Sequence, residues 1–303
     1  MLKAYTSIIF LFIQLSIFSQ NDSINISKSK IKNERLYPVL AFGGSTYISS
    51  IVILNSEWYK NYPRSSFHFY NDIHEWCQMD KFGHAFTSYN IGEAGIDLLS
   101  WSGVDKKSAI WFGGLAGSLY LLNIEILDGL SKQWGFSITD FAANTVGSSI
   151  VIAEGLAWNE QRIRIKWSFH QTKYEQYRPE ELGGNLAENM LKDYNGQTYW
   201  FSTNIYSFLN KGSGFPKWLN IDIGYGAEGM TGGANNPTIV NGKAIPSFQR
   251  YRKYFVSLDL DLTKIKTKSQ FLNTVFRSIN LIKIPAPTFE FSKNGVQFNP
   301  LYF

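Results

Sequence analysis

The chain has 303 residues, 16% of them aromatic and 17% charged, with a formal net charge of +5. Its single cysteine, Cys77, excludes an internal disulfide and a thiolate zinc site, which uses several cysteines. So small a cationic excess lacks the concentrated basic face that grips a phosphate backbone; nucleic acid is excluded as a partner, and membrane or sugar fits better.

In chain order, residues 1–19 read as a secretory signal peptide: Lys3, then an apolar run at residues 8–18 that is short for a bilayer crossing, then small and polar residues. Cleavage is expected after Ser19, and with no cysteine nearby a lipid anchor on a thiol is not expected. Residues 20–35 are polar and expected to be flexible. Residues 36–56 carry no charge over 21 positions, residues 108–124 none over 17, and residues 141–153 form a shorter apolar stretch. Between them, residues 82–99 mix apolar side chains with His84, Glu93 and Asp97. Such lengths predict helices, so residues 36–158 are expected to form an apolar helical bundle docked on a membrane or embedded in it. The first stretch is long enough to cross about 30 Å of hydrocarbon, and the second is borderline. Gly113 with Gly117, and Ala143 with Gly147, have the spacing that lets helix backbones approach closely.

From residue 159 to 303 the period becomes two, which predicts a β-rich region. Cations alternate with apolar residues from Arg162 to Phe169, so Ile163, Ile165, Trp167 and Phe169 share one face and Arg162, Arg164 and Lys166 the other. Residues 256–262 repeat the alternation with acids, residues 220–225 do so more weakly, and residues 199–209, 289–291 and 296–298 are further strands. Residues 269–284 predict one helix, and residues 224–242 a Gly-rich loop. The class is therefore α+β. A final aromatic residue, Phe303, is the ending of an outer-membrane barrel strand, but about six strands fall short of the eight of the smallest such barrels. The region is expected to pack on the helices or lie against the membrane, with Trp167 and the basic residues 162, 164 and 166 meeting headgroups or a partner.

Ionisable residues inside apolar helices are costly and usually functional. Asp80 and His84 are four apart on one helix face, Glu125 and Asp128 three apart on another, and Asp140, Asn144 and Ser148 line a third. Three helices presenting these groups inward would form a carboxylate–histidine site for acid–base work or a divalent metal. The competing reading is structural: Asp80 as a helix N-cap, Ser137 with Asp140 as a capping box, and Asp128-Gly129 as a helix stop. His74-Glu75-Trp76-Cys77-Gln78 begins like a zinc-protease helix but has Gln78 where the second His must be, and neither a Gly-x-Ser-x-Gly elbow nor a phosphate-cradling loop occurs. His68, His74 and His170 are expected at interfaces or surfaces.

Three blocks in order carry a resemblance. Asp80-Lys81-x-x-His84, then Glu125-x-x-Asp128-Gly129, then Trp134-Gly135-Phe136-Ser137-x-x-Asp140-x-x-x-Asn144-x-x-Gly147 resemble the YfiM-like family of predicted periplasmic proteins and lipoproteins, over residues 58–158. More distantly, the order is similar to that of VanZ-like membrane proteins. The family has no established activity, so the resemblance implies location and architecture. It implies an exported, periplasmic protein of the cell envelope, associated with a membrane, the outer rather than the inner, with lipid or an envelope protein as partner. Its role is then structural or partner-binding. The alternative is an envelope hydrolase or transferase acting on lipid or cell-wall precursors, with Asp80, His84, Glu125, Asp128, Asp140 and Asn144 at the site and Lys81 steadying a phosphate. No cofactor is implied by the residues alone.

Overall fold

A computed structural model describes residues 31–303 apart from 58, 60, 61, 211 and 266. The expected signal peptide, and residues 20–30 of the expected flexible segment, lie outside the described residues. Asn33–Arg35 do not continue that segment, because they already form the start of a helix. The chain is α+β and divides into two compact units. The division is not a single cut, since residues 72–83 belong with the sheet and residues 266–279 with the helices.

The first unit is helical. It comprises α1 (Asn33–Glu57), the body of α2 (Met79–Trp101), α3 (Lys106–Gly129), α4 (Ile138–Trp158) and α7 (Gln270–Ile279). Local chemistry fixes the helix starts. Asp105 accepts from the Ser108 amide at 3.0 Å to begin α3, and the Ser137 hydroxyl accepts from the Asp140 amide at 3.0 Å to begin α4. At the far end of α4, Asn159 turns left-handed (φ 65°) and its amide returns to the Gly155 carbonyl. Two short strands, β1 (Phe69–Tyr70) and β2 (Phe136–Ser137), pair in parallel just ahead of α4.

Helices α2, α3 and α4 touch backbone to backbone. A Cβ on Gly113 would collide with the Ile96 amide, one on Gly117 with the Ser88 carbonyl, and one on Gly147 with the Ala85 carbonyl. The small-residue spacings therefore do what their sequence predicts. Outward from these contacts the unit is apolar: Leu40, Ile48 and Val52 of α1 and Phe112 and Leu119 of α3 are exposed. Segments Asn33–Ser56 and Lys106–Gly129 are long and apolar enough to cross a membrane, by length and composition.

The second unit is a six-stranded antiparallel sheet whose strands follow chain order: β3 (Ile163–Phe169), β4 (Gln197–Asn204), β5 (Leu219–Glu228), β8 (Tyr251–Leu260), β9 (Ala286–Ser292) and β10 (Gly295–Tyr302). Two short helices, α5 (Pro179–Leu182) and α6 (Leu186–Lys192), lie between β3 and β4. A hairpin of β6 (Ile239–Val240) and β7 (Lys243–Ala244) lies between β5 and β8. Asn241 and Gly242 turn that hairpin with positive φ, as a two-residue Asn-Gly turn requires. Three boundaries differ from the sequence expectation. A 3-10 turn, Ile205–Phe208, ends β4 early, Gly224–Glu228 belong to β5 rather than a loop, and α7 stops at Ile279.

The sheet is rolled. Beyond β3 its edge continues into residues 281–283, where the Trp167 amide donates to the Leu281 carbonyl and the Lys283 amide to the Trp167 carbonyl, each at 2.9 Å. From the opposite edge strand, Tyr302 reaches across to place its ring 4.8 Å from Phe255 and 5.9 Å from Trp200. The enclosed face combines these rings with buried charges. Lys166 pairs with Asp259 at 2.6 Å with neither side chain exposed, and Lys253 pairs with Glu228 at 3.0 Å. This corrects the expectation for Lys166, which is buried and cannot meet headgroups. The alternation is as expected, but Lys166 turns inward because its acid partner stands on β8. Arg164 likewise turns toward Asp261, at 3.9 Å.

A strained turn precedes α2. Trp76, Cys77 and Gln78 all have left-handed φ (45°, 51° and 64°), which costs a non-glycine residue roughly 1–2 kcal/mol each. Sheet residues hold it: the Tyr225 hydroxyl donates to the Cys77 carbonyl, Arg252 donates to the Gln78 side chain at 2.6 Å, and Phe82 stacks on Tyr225 at 4.4 Å. The helix consequently begins at Met79 rather than after Asp80.

Candidate functional site

Three helices of the first unit each contribute one ionisable side chain to a single point. His84 comes from α2, Glu125 from α3 and Asp140 from the first turn of α4, and one potential ligand atom from each lies within 4.8 Å of the others. His84 Nδ1 is 3.8 Å from Glu125 Oε1, and Nε2 is 3.8 Å from Asp140 Oδ2. The imidazole is thus set between two carboxylates. Glu125 is buried, whereas the His84 side chain keeps 22% of its surface exposed, so the site opens to its surroundings on the histidine side.

Asn144, fully buried one turn along α4 from Asp140, orients the ring. Its Oδ1 is 3.0 Å from His84 Nδ1. With Nδ1–H donating to this oxygen, the lone pair stays on Nε2, toward Asp140. Glu125 is placed in turn by the start of α4, since the Ser137 amide donates to its Oε2 at 3.2 Å. A carboxylate on another helix thereby serves the position that a capping box usually fills from its own third residue.

Beneath the site lies a hydroxyl cluster that the sequence reading took up only at Ser148. Ser88 and Ser118 both donate to the Asn144 carbonyl at 2.7 Å, and Ser88 Oγ lies 3.0 Å from Ser148 Oγ. The signal was present, because Ser88 follows His84 by four residues and so shares its helix face. These bonds tie α2 and α3 to the α4 turn that carries Asn144.

The seven sequence-predicted residues divide between the two units. His84, Glu125, Asp140 and Asn144 come together. Asp128 is engaged elsewhere, accepting from the Tyr59 hydroxyl at 2.7 Å. Burial and the Asp128 charge push the Tyr59 phenol far above its usual range, so it remains the donor. Asp80 and Lys81 belong to the second unit, where Lys81 Nζ sits 2.7 Å from Asp80 Oδ2 and 2.8 Å from Asp72 Oδ1. Asp80 also accepts from the Lys81 amide at 2.9 Å, inside the helix rather than at its cap. Lys81 is thus a paired cation, held between two carboxylates. Asp72, its partner, was missed because nothing in the local spacing links the two. Ser137 caps α4 as expected. Of the other histidines, His74 is exposed, His68 half-buried, and His170 lies 5.9 Å from the Tyr302 ring.

The cluster fits a divalent cation. Imidazole nitrogen and carboxylate oxygen bind such ions at about 2.0–2.2 Å, which sets ligand atoms about 3–3.6 Å apart. One ligand atom from each residue lies within 4.8 Å of the others, so side-chain rotations that close this spacing bring the three into that range. One nitrogen and two hard oxygens suit zinc, manganese or iron better than a soft, thiophilic ion. Without a cation, the same three groups would act as an acid–base set.

Residues 68–153 match the model of a family described as "Predicted periplasmic lipoprotein (DUF2279)". The match spans under a third of the chain and includes all four convergent residues. It supports the likeness to predicted periplasmic proteins and lends nothing to the likeness to VanZ-like membrane proteins. No curated protein and no solved structure matches the chain.

Proposed function

We propose that the protein is an exported, membrane-associated component of the cell envelope that holds a divalent cation on His84, Glu125 and Asp140. There it carries out hydrolysis or group transfer on lipid or cell-wall precursors. The periplasmic description of the matching family supports the envelope, and the exposed apolar faces of α1 and α3 support membrane association. The carrying observation is the convergence itself. Had these residues been only caps and satisfied core groups, nothing would require an imidazole to stand between two carboxylates from two other helices. In such a centre His84 and the two carboxylates bind the cation, Asn144 fixes the ring, and the cation supplies Lewis acidity and a water of lowered pKa.

The test is metal content of the full chain purified in mild detergent, for wild type, His84→Ala and Asp140→Asn. One bound cation per wild-type chain and loss in both variants, with circular dichroism unchanged, is expected. Wild type that takes up no zinc, manganese or iron on titration would refute the cation site and leave the partner-binding role. Cell fractionation tests the membrane association separately.

A further inference from the structure

The six-stranded sheet has the reverse polarity of a sheet in water, which buries its apolar face and solvates the other. The register sets Phe201, Ile223, Val256, Phe289 and Phe298 side by side across β4, β5, β8, β9 and β10. All five are exposed, Ile223 by 62%. The neighbouring rows are apolar as well: Ile221 beside Leu258, and Tyr254, Phe291 and Val296 in line. Alternate residues of the same strands point to the enclosed face, where Asp222, Lys253, Asp259 and Glu290 are buried.

We propose that this outward face lies in the acyl-chain region of one leaflet of a bilayer, with the polar face as the sheet's own core. The proposal rests on the membrane-associated reading above and specifies which surface is immersed. A protein partner or a second copy would need an apolar patch but would place no demand on the opposite face. Hydrocarbon does place one, because it cannot solvate a charge, and here the charged side chains of these strands are turned inward, Lys166 pairing with Asp259 and Lys253 with Glu228. The first outward charge on β8 is Arg252, past Tyr254 at the margin of the band. Immersion also disfavours open backbone edges. Residues 281–283 cover that of β3, and β10 carries Pro300, which has no N–H to leave open.

The depth follows from the rows. Residues 254, 256 and 258 of β8, all exposed, mark three rows spanning about 13 Å at roughly 3.3 Å per residue. That is near half of the roughly 30 Å hydrocarbon thickness, so the sheet enters one leaflet and does not cross.

The experiment uses the full chain with Cys77→Ser and one new cysteine at Ile223, Val256 or Phe298, or at Lys243 in the hairpin as control. Each is labelled with a bimane and reconstituted into phosphatidylethanolamine–phosphatidylglycerol vesicles. Acyl chains brominated at shallow or at terminal carbons, and aqueous iodide, serve as quenchers. Labels at 223, 256 and 298 are expected to be quenched several-fold more by shallow bromines than the label at 243, and weakly by iodide. Strong iodide quenching with the chain in the vesicles overturns the inference and leaves membrane association standing. Shielding from both quenchers means that a second copy or another protein covers the face, and strongest quenching by terminal bromines means a crossing sheet; either overturns it. A chain that stays in solution overturns the membrane reading too. If Cys77→Ser does not fold, the labels are placed with the buried Cys77 retained.

Discussion

Replacing Glu125 by Gln should have opposite effects with and without a cation. Glu125 is 2% exposed, and its carboxylate and that of Asp140 present oxygens within 4.8 Å of each other. Two unit charges at that separation repel by about 3.5 kcal/mol at an effective dielectric constant of about 20. A protonated His84 would offset part of this, and Gln retains an oxygen to accept from the Ser137 amide. The cation-free variant is therefore expected to be more stable than wild type by roughly 1–3 kcal/mol, a rise of several degrees in Tm. With a cation at about 100 times its Kd, wild type gains about 2.7 kcal/mol and the variant, short of one ligand, little. The order of the two melting curves should thus reverse between chelator and saturating zinc or manganese, read by circular dichroism in detergent. A variant that melts below wild type in chelator, with no cation-dependent shift in either protein, would refute the reasoning.

The backbone contact between α2 and α3 makes a second prediction. Gly117→Ala drives a methyl group into the Ser88 carbonyl, and the usual overpacking cost of about 1–3 kcal/mol should outweigh the gain of about 1 kcal/mol in helix propensity. Since Ser88 also holds the Asn144 turn, a lower Tm should come with a weaker cation-dependent shift; unchanged stability would show that the helices can part without cost. Asp193, between α6 and β4, is buried, and burial raises its carboxyl pKa even though Thr172 and Asn195 donate to it. A raised folded pKa means the folded form keeps the proton longer. Its contribution is therefore present below the unfolded pKa and is lost as pH rises through the folded one. Asp193→Asn should flatten the fall in stability from acid to neutral pH, and an unchanged slope in denaturant melts would contradict this.

The sequence revealed the periods and concealed the partners. Alternation from Arg162 to Phe169 shows that a strand has two unlike faces, but not which one turns inward. Here Asp259, nearly a hundred residues away, decides it by pairing with Lys166. His84, Glu125 and Asp140 were legible because ionisable groups in apolar helices need a reason to be there. Asp128 satisfied the same criterion and is engaged by Tyr59, a partner whose position only the folded chain reveals. Asp80 looked like a cap because residues 76–78 gave no warning of a left-handed turn, a conformation that none of them favours alone.

The two units exchange chain segments, so neither is a continuous stretch that a single cut would release whole. The backbone passes from one to the other at residues 71–72, 83–84, 161–162, 265–266 and 279–280. A fragment ending at Gln161 would keep Asp72–Gly83 without the strands that brace their left-handed turn, and would lack the Arg277 that meets Asp97 at 2.9 Å. A fragment starting at Arg162 would carry α7 with nothing of its own unit to receive it. Cutting the chain at either point yields two pieces that each lack segments of their own unit.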